Sequence, residues 1–408
     1  MKRAVLVGLL SLGCSLASEP HGPPPLLTGL PRSLTPAEAT LVSQSNAFGF
    51  ALFDRIRSAA PNENVFISPT SAAMALGMTL NGAAGLTLDS MRAALRLEAT
   101  PLGDINAGFR SLIDLLGGLD STSEFTIANS IWAQSGMPWS QPFLDAGRAS
   151  FDAEIRSLDL QAPASLGTIN DWVREKTRGK IPTILDQVQS NEIMFLINAI
   201  YFKGKWRIAF DPDRTASGTF SAATGSQTVP FMNREPDTLR YAATGEVEVV
   251  ELLYGNGAWA MTIVLPGEGR SLSSVLTGLD GSRWQAWTQG LREMKIGLAM
   301  PKLRMEYKRE LKDDLSALGM RRAFDPDLAD LSSMITGPVG GNLYLTRVTQ
   351  KTFVDVNEEG TEAAAATSVG VGVTSAPLTV IVNRPFLFAI RERYSGTILF
   401  LGQVTRIP

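Results

Sequence analysis

The order of its elements constrains this chain most. Between residues 35 and 408 no Pro/Ser-rich linker and no internal repeat interrupts the sequence. Helical patterns fill the first half and strand patterns the second. Ala47, Phe48, Ala51, Leu52 and Ile56 recur at helical spacing behind Pro36, a residue suited to the first turn of a helix. Residues 64–69 read as a short strand and turn, 72–80 as a buried helix, and 169–177 as a helix that Gly179 stops. Residues 125–133 alternate like a strand, and 193–202 form an apolar, β-rich run typical of the middle of a sheet. Strands follow at 247–253, 259–265, 295–301, 353–357, 386–391 and 398–404. Segregated helices and strands predict an α+β fold rather than alternating α/β. Length alone would allow two or three domains, but without a linker 408 residues predict one.

Composition removes whole classes of chemistry. The single histidine is His21 and the single cysteine is Cys14. Ser-His-Asp sites, Cys-His sites, multi-histidine metal sites and a disulfide within one chain are thereby excluded. Paired-carboxylate catalysis survives, because 40 acidic residues supply candidates. Against 37 basic residues they leave a net charge of -3, with no basic field for nucleic acid or an anionic membrane. Nucleotide motifs are missing. Gly179-Lys180 lacks the phosphate-loop spacing, residues 337–341 lack a following lysine, and Gly255-Asn256-Gly257 fails the dinucleotide pattern. No metal and no other cofactor is expected.

Residues 1–17 read as a signal peptide. Lys2 and Arg3 precede an apolar run over 4–12, too short to cross a bilayer. Ser15-Leu16-Ala17 offers cleavage before Ser18. Leu12-Gly13-Cys14 also resembles a bacterial lipobox, with Ser11 in place of the usual leucine, and Cys14 would then carry a lipid. Both routes stay open at this point. Either exports the protein, periplasmic or extracellular, and only the second ties it to a membrane. Residues 18–35 contain five prolines and read as an extended tether before a domain over 36–408.

The stretch after Asn357 is the most informative. Glu358-Glu359-Gly360-Thr361-Glu362 leads into Ala363, Ala364, Ala365 and Ala366, then through Thr367 to Pro377. Alanines favour a helix, but Val369, Gly370, Val371, Gly372 and Val373 do not continue one. Read at period two, the stretch makes sense as a strand. One face carries Thr361, Ala363, Ala365, Thr367, Val369, Val371 and Val373, small and apolar enough to bury. Gly370, Gly372 and Pro377 weaken it as a resting strand. Such a segment is either a mobile insertion element or a flexible Ala/Gly loop, and composition does not choose between them.

Residues 358–367 resemble the reactive-centre hinge of inhibitory serpins. Six further blocks match that family in order: 64–69, 198–206 (Asn-Ala-Ile-Tyr-Phe-Lys-Gly-Lys-Trp), 229–232, 300–303, 383–386 and 396–402. The resemblance therefore covers roughly residues 36–408. It implies three β-sheets, eight to nine helices and a reactive-centre loop exposed over about 358–382. It also implies a suicide-substrate mechanism. A serine protease attacks the loop and forms an acyl-enzyme. The cut loop enters the main sheet as a new strand, and the protease stays trapped in a covalent complex. The inserting strand, residues 361–373, would span about 43 Å. The chain itself would be no enzyme, and a monomer is expected.

The resemblance also assigns residues. Counting Glu358 as the first of seventeen places the seventeenth at Thr374 and the reactive bond at Thr374-Ser375. Val373-Thr374 is the alternative. No Lys or Arg lies between Lys351 and Arg384, and no aromatic residue between Phe353 and Phe386. Val371, Val373 and Thr374 therefore suit a small or medium apolar pocket, which points to elastase- or subtilisin-like targets. Ser68, Asn198 and Gln350 match the shutter, a polar cluster under the main sheet. Gln350 stands where the family usually has a histidine, so the cluster lacks a group titrating near neutral pH. Trp206, Lys302 and Glu358 match the breach, where insertion starts, and a Lys302–Glu358 ion pair is expected. Residues 104–118, the counterpart of the helix that takes heparin-type activators, offer only Arg110.

Three functional classes follow: an inhibitory serpin, a non-inhibitory serpin acting as a binding or storage protein, and a carboxylate-based hydrolase. No motif speaks for the third. The small-residue hinge favours the first, since a charge at Thr361, Ala363 or Ala365 would be buried unpaired on insertion.

Overall fold

Thr35 caps the first helix, Pro36–Ala59. Its hydroxyl accepts the Glu38 N–H at 3.2 Å, and the Glu38 carboxylate accepts the Thr35 N–H at 2.6 Å. This reciprocal pair satisfies two donors that a helix start otherwise leaves open. The computed structural model describes residues 24–338, 340–361 and 378–408. Among these, six of nine α-helices lie before residue 177 and twelve of fifteen strands after residue 193, which is the segregation of an α+β fold.

The strands build two hydrogen-bonded sheets among the described residues. A six-stranded sheet runs in the order Leu303–Glu310, Thr349–Asn357, Gly360–Thr361, Met194–Lys205, Ser123–Gln134, Ala153–Leu158. The other sheet has nine strands, and Gly225–Ala243 is its longest at 19 residues. Pro236 interrupts the pairing of that strand with Arg292–Pro301, and the register shifts between Arg234 and Asp237. Among the described residues the strands thus form two hydrogen-bonded sheets where three were expected, the nine-stranded one continuing through this shift.

Three apolar clusters hold the layers together. Phe48, Phe53, Met74, Phe109 and Phe151 fill the space between the first helices and the sheets. Phe66, Trp206, Tyr254, Trp259 and Phe388 pack between the two sheets. On the opposite face of the six-stranded sheet, Trp132, Phe195 and Ile197 are covered by helix Pro163–Lys176, which contributes Ile169 and Trp172. Both faces of strand Met194–Lys205 are thus buried along much of its length, which explains its unbroken apolar reading.

Residues 24–34 correct the tether reading. The Leu27 N–H donates to Asn256 O at 2.7 Å, and the Arg207 guanidinium donates to Pro24 O at 2.7 Å. Leu27, Leu30 and Leu34 pack against the inter-sheet cluster. Their apolar side chains, spaced among the prolines, seat the segment on the domain. At its other end Arg32 forks onto Glu38, with contacts of 2.8 and 2.6 Å, and also bonds Ser111 at 2.9 Å.

This fork predicts acid sensitivity. Hydrogen bonding from Arg32, with help from Ser111 and Thr35, holds the Glu38 carboxyl at about 2 despite its burial. The folded value lies below the unfolded one, so the stabilisation is complete above the ordinary carboxylate value of 4.5. It is lost as pH falls from there towards 2. The loss should be about 1–2 kcal/mol, because Arg32 stays 44% exposed and solvent screens the pair. Urea denaturation midpoints measured across this range should fall in the natural chain and stay flatter in Glu38→Gln.

Candidate functional site

The site grows from one hairpin. Strand Thr349–Asn357 turns at Glu358-Glu359 and starts back as Gly360–Thr361. Asn357 stabilises the turn by accepting the Glu359 N–H on its Oδ1 at 3.1 Å. The returning pair is seated between two strands. Thr361 faces Val356 on one side and Gly204 on the other, and Gly360 faces Asn357 and Lys205. The two glycines permit this fit. A Cβ on Gly360 would lie 2.1 Å from Gly204 O, and one on Gly204 would lie 2.7 Å from the Tyr254 ring.

Thr361 points inward and is 2% exposed. Its hydroxyl shares a 2.7 Å hydrogen bond with the Tyr254 hydroxyl. Complete burial pushes the Tyr254 phenol upward, so it is neutral at any physiological pH. Tyr254 stacks on Trp206 with centroids 4.4 Å apart. Trp206 Nε1 donates to Asn357 O at 2.9 Å, while the Trp206 and Phe210 amides donate to Glu359 O and Glu358 O, each at 2.7 Å. One aromatic stack therefore holds both the hinge turn and the first inward residue after it.

At the mouth of the hairpin Lys302 Nζ lies 2.7 Å from Glu358 Oε1, and Thr215 Oγ1 donates to the same oxygen at 2.6 Å. Burial works to raise the Glu358 carboxyl, and the hydrogen bonds from Lys302 and Thr215 outweigh it, leaving it below its ordinary value. Burial raises the neighbouring Glu359 carboxyl, whose Oε2 has no hydrogen-bond partner among the described residues. Lys302 is 41% exposed, so its ion pair contributes only about 0–1 kcal/mol. It fixes geometry more than it stabilises.

Beyond Thr361, and among the described residues, no ladder joins Thr349–Asn357 to Met194–Lys205. Each is antiparallel to Gly360–Thr361, so the two strands run parallel to one another. Both strands contribute to the lining of one cavity, Leu196 and Asn198 from one and Gln350 from the other. That cavity measures about 140 Å³, and Ala72, Leu76 and Val348 add to its apolar lining.

The polar residues assigned to the shutter divide into two groups. Gln350 Oε1 accepts the Ser68 N–H at 3.0 Å and its Nε2 donates to Ser68 O at 2.8 Å, so the amide pairs like a piece of backbone. Ser68 Oγ donates to Leu399 O at 2.6 Å and caps helix Pro69–Leu80. Asn198 does not join them. It lies directly across the sheet from Asn129 and donates to its Oδ1 at 2.6 Å. The Asn198 Oδ1 is buried without a partner among the described residues. Cross-strand register sets this pairing, and the sequence reading did not single out Asn129.

Structure thus brings Trp206, Lys302, Glu358, Gly360 and Thr361 together, and Ser68 with Gln350. Tyr254, Gly204, Phe210 and Thr215 complete the hinge seat and were missed. Tyr254 and Thr215 lie outside every matched block, while Gly204 sits inside one and signals its role only as a glycine within a strand. Glu362, Ala363, Ala364, Ala365, Ala366, Val371, Val373, Thr374 and Ser375 lie outside the described residues, as does Cys14.

Comparison with known proteins agrees with this geometry. The family model described as Serpin (serine protease inhibitor) matches residues 43–407. Glia-derived nexin of Mus musculus is 31% identical over 376 residues, which is 88% of this chain and 91% of that protein. Among solved structures, the thermophilic serpin tengpin in its native state superposes with a TM-score of 0.83 at 31% identity, covering 92% of this chain and 96% of that one. Human thyroxine-binding globulin in complex with thyroxine superposes with a TM-score of 0.82 at 28% identity, covering 91% and 99%.

Proposed function

The chain belongs to the serpin family over residues 43–407, and from that premise we propose that it is a suicide-substrate inhibitor of serine endopeptidases. It is not itself an enzyme. The observation that carries the proposal is the seat of Gly360 and Thr361 between two parallel strands that share no ladder beyond them among the described residues. A loop cut by a protease is free at its new end and can continue that strand. The acyl-enzyme is then carried away with the loop before water releases it.

The loop sequence narrows the targets. Val371, Val373 and Thr374 favour elastase- or subtilisin-like proteases, with Thr374-Ser375 as the reactive bond. Residues 1–17 place the work outside the cytoplasm, either as a soluble protein or anchored through Cys14. The second reading, a non-inhibitory binding protein, draws on the likeness to thyroxine-binding globulin, a complex with a small ligand.

One gel separates the two. The mature chain is mixed with pancreatic elastase, subtilisin and trypsin and run under denaturing conditions. A band near the summed mass is expected with elastase or subtilisin and not with trypsin, and sequencing of the released peptide should place the cut near Thr374. Cleavage without that band would sink the inhibitory reading.

A further inference from the structure

The alternation Val369-Gly370-Val371-Gly372-Val373 weakens a strand, and nothing in the hinge accounts for it. The far end of the six-stranded sheet does. There an ion pair joins the two strands that seat Gly360 and Thr361. Glu192 stands two residues before strand Met194–Lys205, and Arg347 two residues before strand Thr349–Asn357. Arg347 Nε lies 2.8 Å from Glu192 Oε1, and its Nη2 donates to Oε2 at 2.9 Å. Both partners are pinned. Glu192 Oε2 accepts the Gln189 N–H at 2.7 Å, and Thr346 Oγ1 donates to Glu192 Oε1 at 3.2 Å. Arg347 Nη2 also donates to Gln187 O at 2.6 Å. The Arg347 guanidinium sits 5.6 Å from the centre of the Phe195 ring. That contact places the pair on the sheet face that helix Pro163–Lys176 covers.

Register decides what an entering strand would present to this pair. Thr361 faces Gly204 and Gly360 faces Lys205 in an antiparallel ladder. Strand Met194–Lys205 stays regular to its start, and Gln134 N–H donates to Ile193 O at 2.9 Å just before it. A strand continuing the ladder from Thr361 therefore brings residue 369 opposite Leu196, 370 opposite Phe195, 371 opposite Met194 and 372 opposite Ile193. Directly opposed residues point to the same face. Val369 and Val371 would join Leu196 and Met194, two residues that line the cavity of about 140 Å³. Gly370 and Gly372 would share the face of Phe195 and the ion pair. A strand laid between two others holds them about 9–10 Å apart. A glutamate and an arginine side chain joined end to end cover that distance, so the pair can stay closed over such a strand. What it removes is the space above the backbone.

We propose that the Glu192–Arg347 pair is an arch over the last part of the inserted strand, and that Gly370 and Gly372 are the clearance it requires. The inference rests on the proposed function only in taking residues 361–373 as the strand that enters. The arch positions that strand without touching the protease: a side chain at 370 strikes the bonded guanidinium, while the valines fill the other face.

Peptide binding to the full mature chain tests this. A labelled synthetic peptide of residues 361–373 is titrated in, and binding is read by fluorescence anisotropy and by the melting midpoint. Beside it runs the same peptide carrying Gly370→Leu. No bond is cut, so protease recognition plays no part. The natural peptide should bind and raise the midpoint, and the leucine peptide should bind at least about 10-fold more weakly, the scale of an overpacked site. Glu192→Ala combined with Arg347→Ala removes both charges, so that neither is left buried alone. That chain should take both peptides with nearly equal affinity. Glu192→Gln, which keeps the shape and loses one charge, should fall between, so the comparison survives a double variant that does not fold. Equal binding of the two peptides to the natural chain overturns the arch. So does refusal of the leucine peptide by the variants, and so does failure of the natural peptide to bind. Protease trapping is scored separately on the same chains. If the peptides are told apart but no protease is held, the arch stands and the inhibitory reading falls; trapping without that discrimination keeps the reading and removes the arch.

Discussion

Thr361→Arg should convert the chain from a trap into a substrate: the loop is still cut, but little protease is held. Thr361 is 2% exposed, bonded to Tyr254 and seated opposite Gly204. The Thr361 hydroxyl meets Tyr254, which packs against Phe202 and Trp206, and none of these three side chains can neutralise an arginine. Burying that charge costs several kcal/mol, so the chain keeps residue 361 out of the sheet. Trapping is a race between insertion and deacylation. Even ~2–3 kcal/mol added to the insertion barrier slows it roughly 30- to 150-fold, enough for water to win. Covalent complex should fall to a trace while the rate of loop cleavage by elastase stays within about twofold of the natural chain. Thr361→Ser keeps the size and the hydroxyl and should remain an inhibitor. An undiminished yield of covalent complex from the arginine variant would overturn both the role of Thr361 and the barrier argument.

Much of this site was legible before the fold was seen, and the reasons are local. Thr361 shows itself by period two, because a strand that must slide into a sheet needs small residues on one face. Glu358 and Lys302 show themselves through family blocks at 358–367 and 300–303. Helix Pro69–Leu80 and strand Met194–Lys205 were readable because both are buried nearly all round, so their apolar runs are unbroken. Strand Gly225–Ala243 was not readable as one piece. Pro230 and Pro236 both argue against a strand, and only the structure shows the second at a register shift, where no ladder bond is lost.

Other parts escaped because they depend on contacts far apart in sequence. Tyr254 meets Thr361 across more than a hundred residues, and nothing near either position announces the other. Asn129 pairs with Asn198 through strand register, a property of the assembled sheet. Gln350 was read as one member of a cluster with Ser68 and Asn198. Its amide instead matches the N–H and C=O of Ser68 at once, a use of glutamine that composition cannot foretell. The N-terminal segment was misread for a related reason. Its prolines describe the backbone, while its leucines decide where that backbone lies.

Loop cleavage should raise the melting temperature of the chain rather than lower it. A nick in an exposed loop normally leaves stability unchanged or reduces it. Here the flanking strands, nine and twelve residues long, present facing edges that share no ladder beyond Thr361 among the described residues. A strand laid between them would pair on both sides at about 1 kcal/mol per hydrogen bond. Its valines would also add apolar contact, and both strands line a cavity of about 140 Å³. For a domain of this size each kcal/mol moves the midpoint by only about 1–2 °C, extrapolating the trend from smaller domains. A rise of on the order of 10 °C or more after cleavage therefore requires insertion and not a minor repacking. Differential scanning calorimetry of the intact and elastase-cut chains makes the comparison directly. The cut Thr361→Arg chain gives the decisive third trace. If the arginine blocks entry of the whole strand, its rise disappears along with trapping. If the strand enters slowly without residue 361, most of the rise returns while trapping stays lost, and the barrier, not the final state, is what Thr361 controls. A cut natural chain that melts no higher than the intact one would remove insertion from the mechanism altogether.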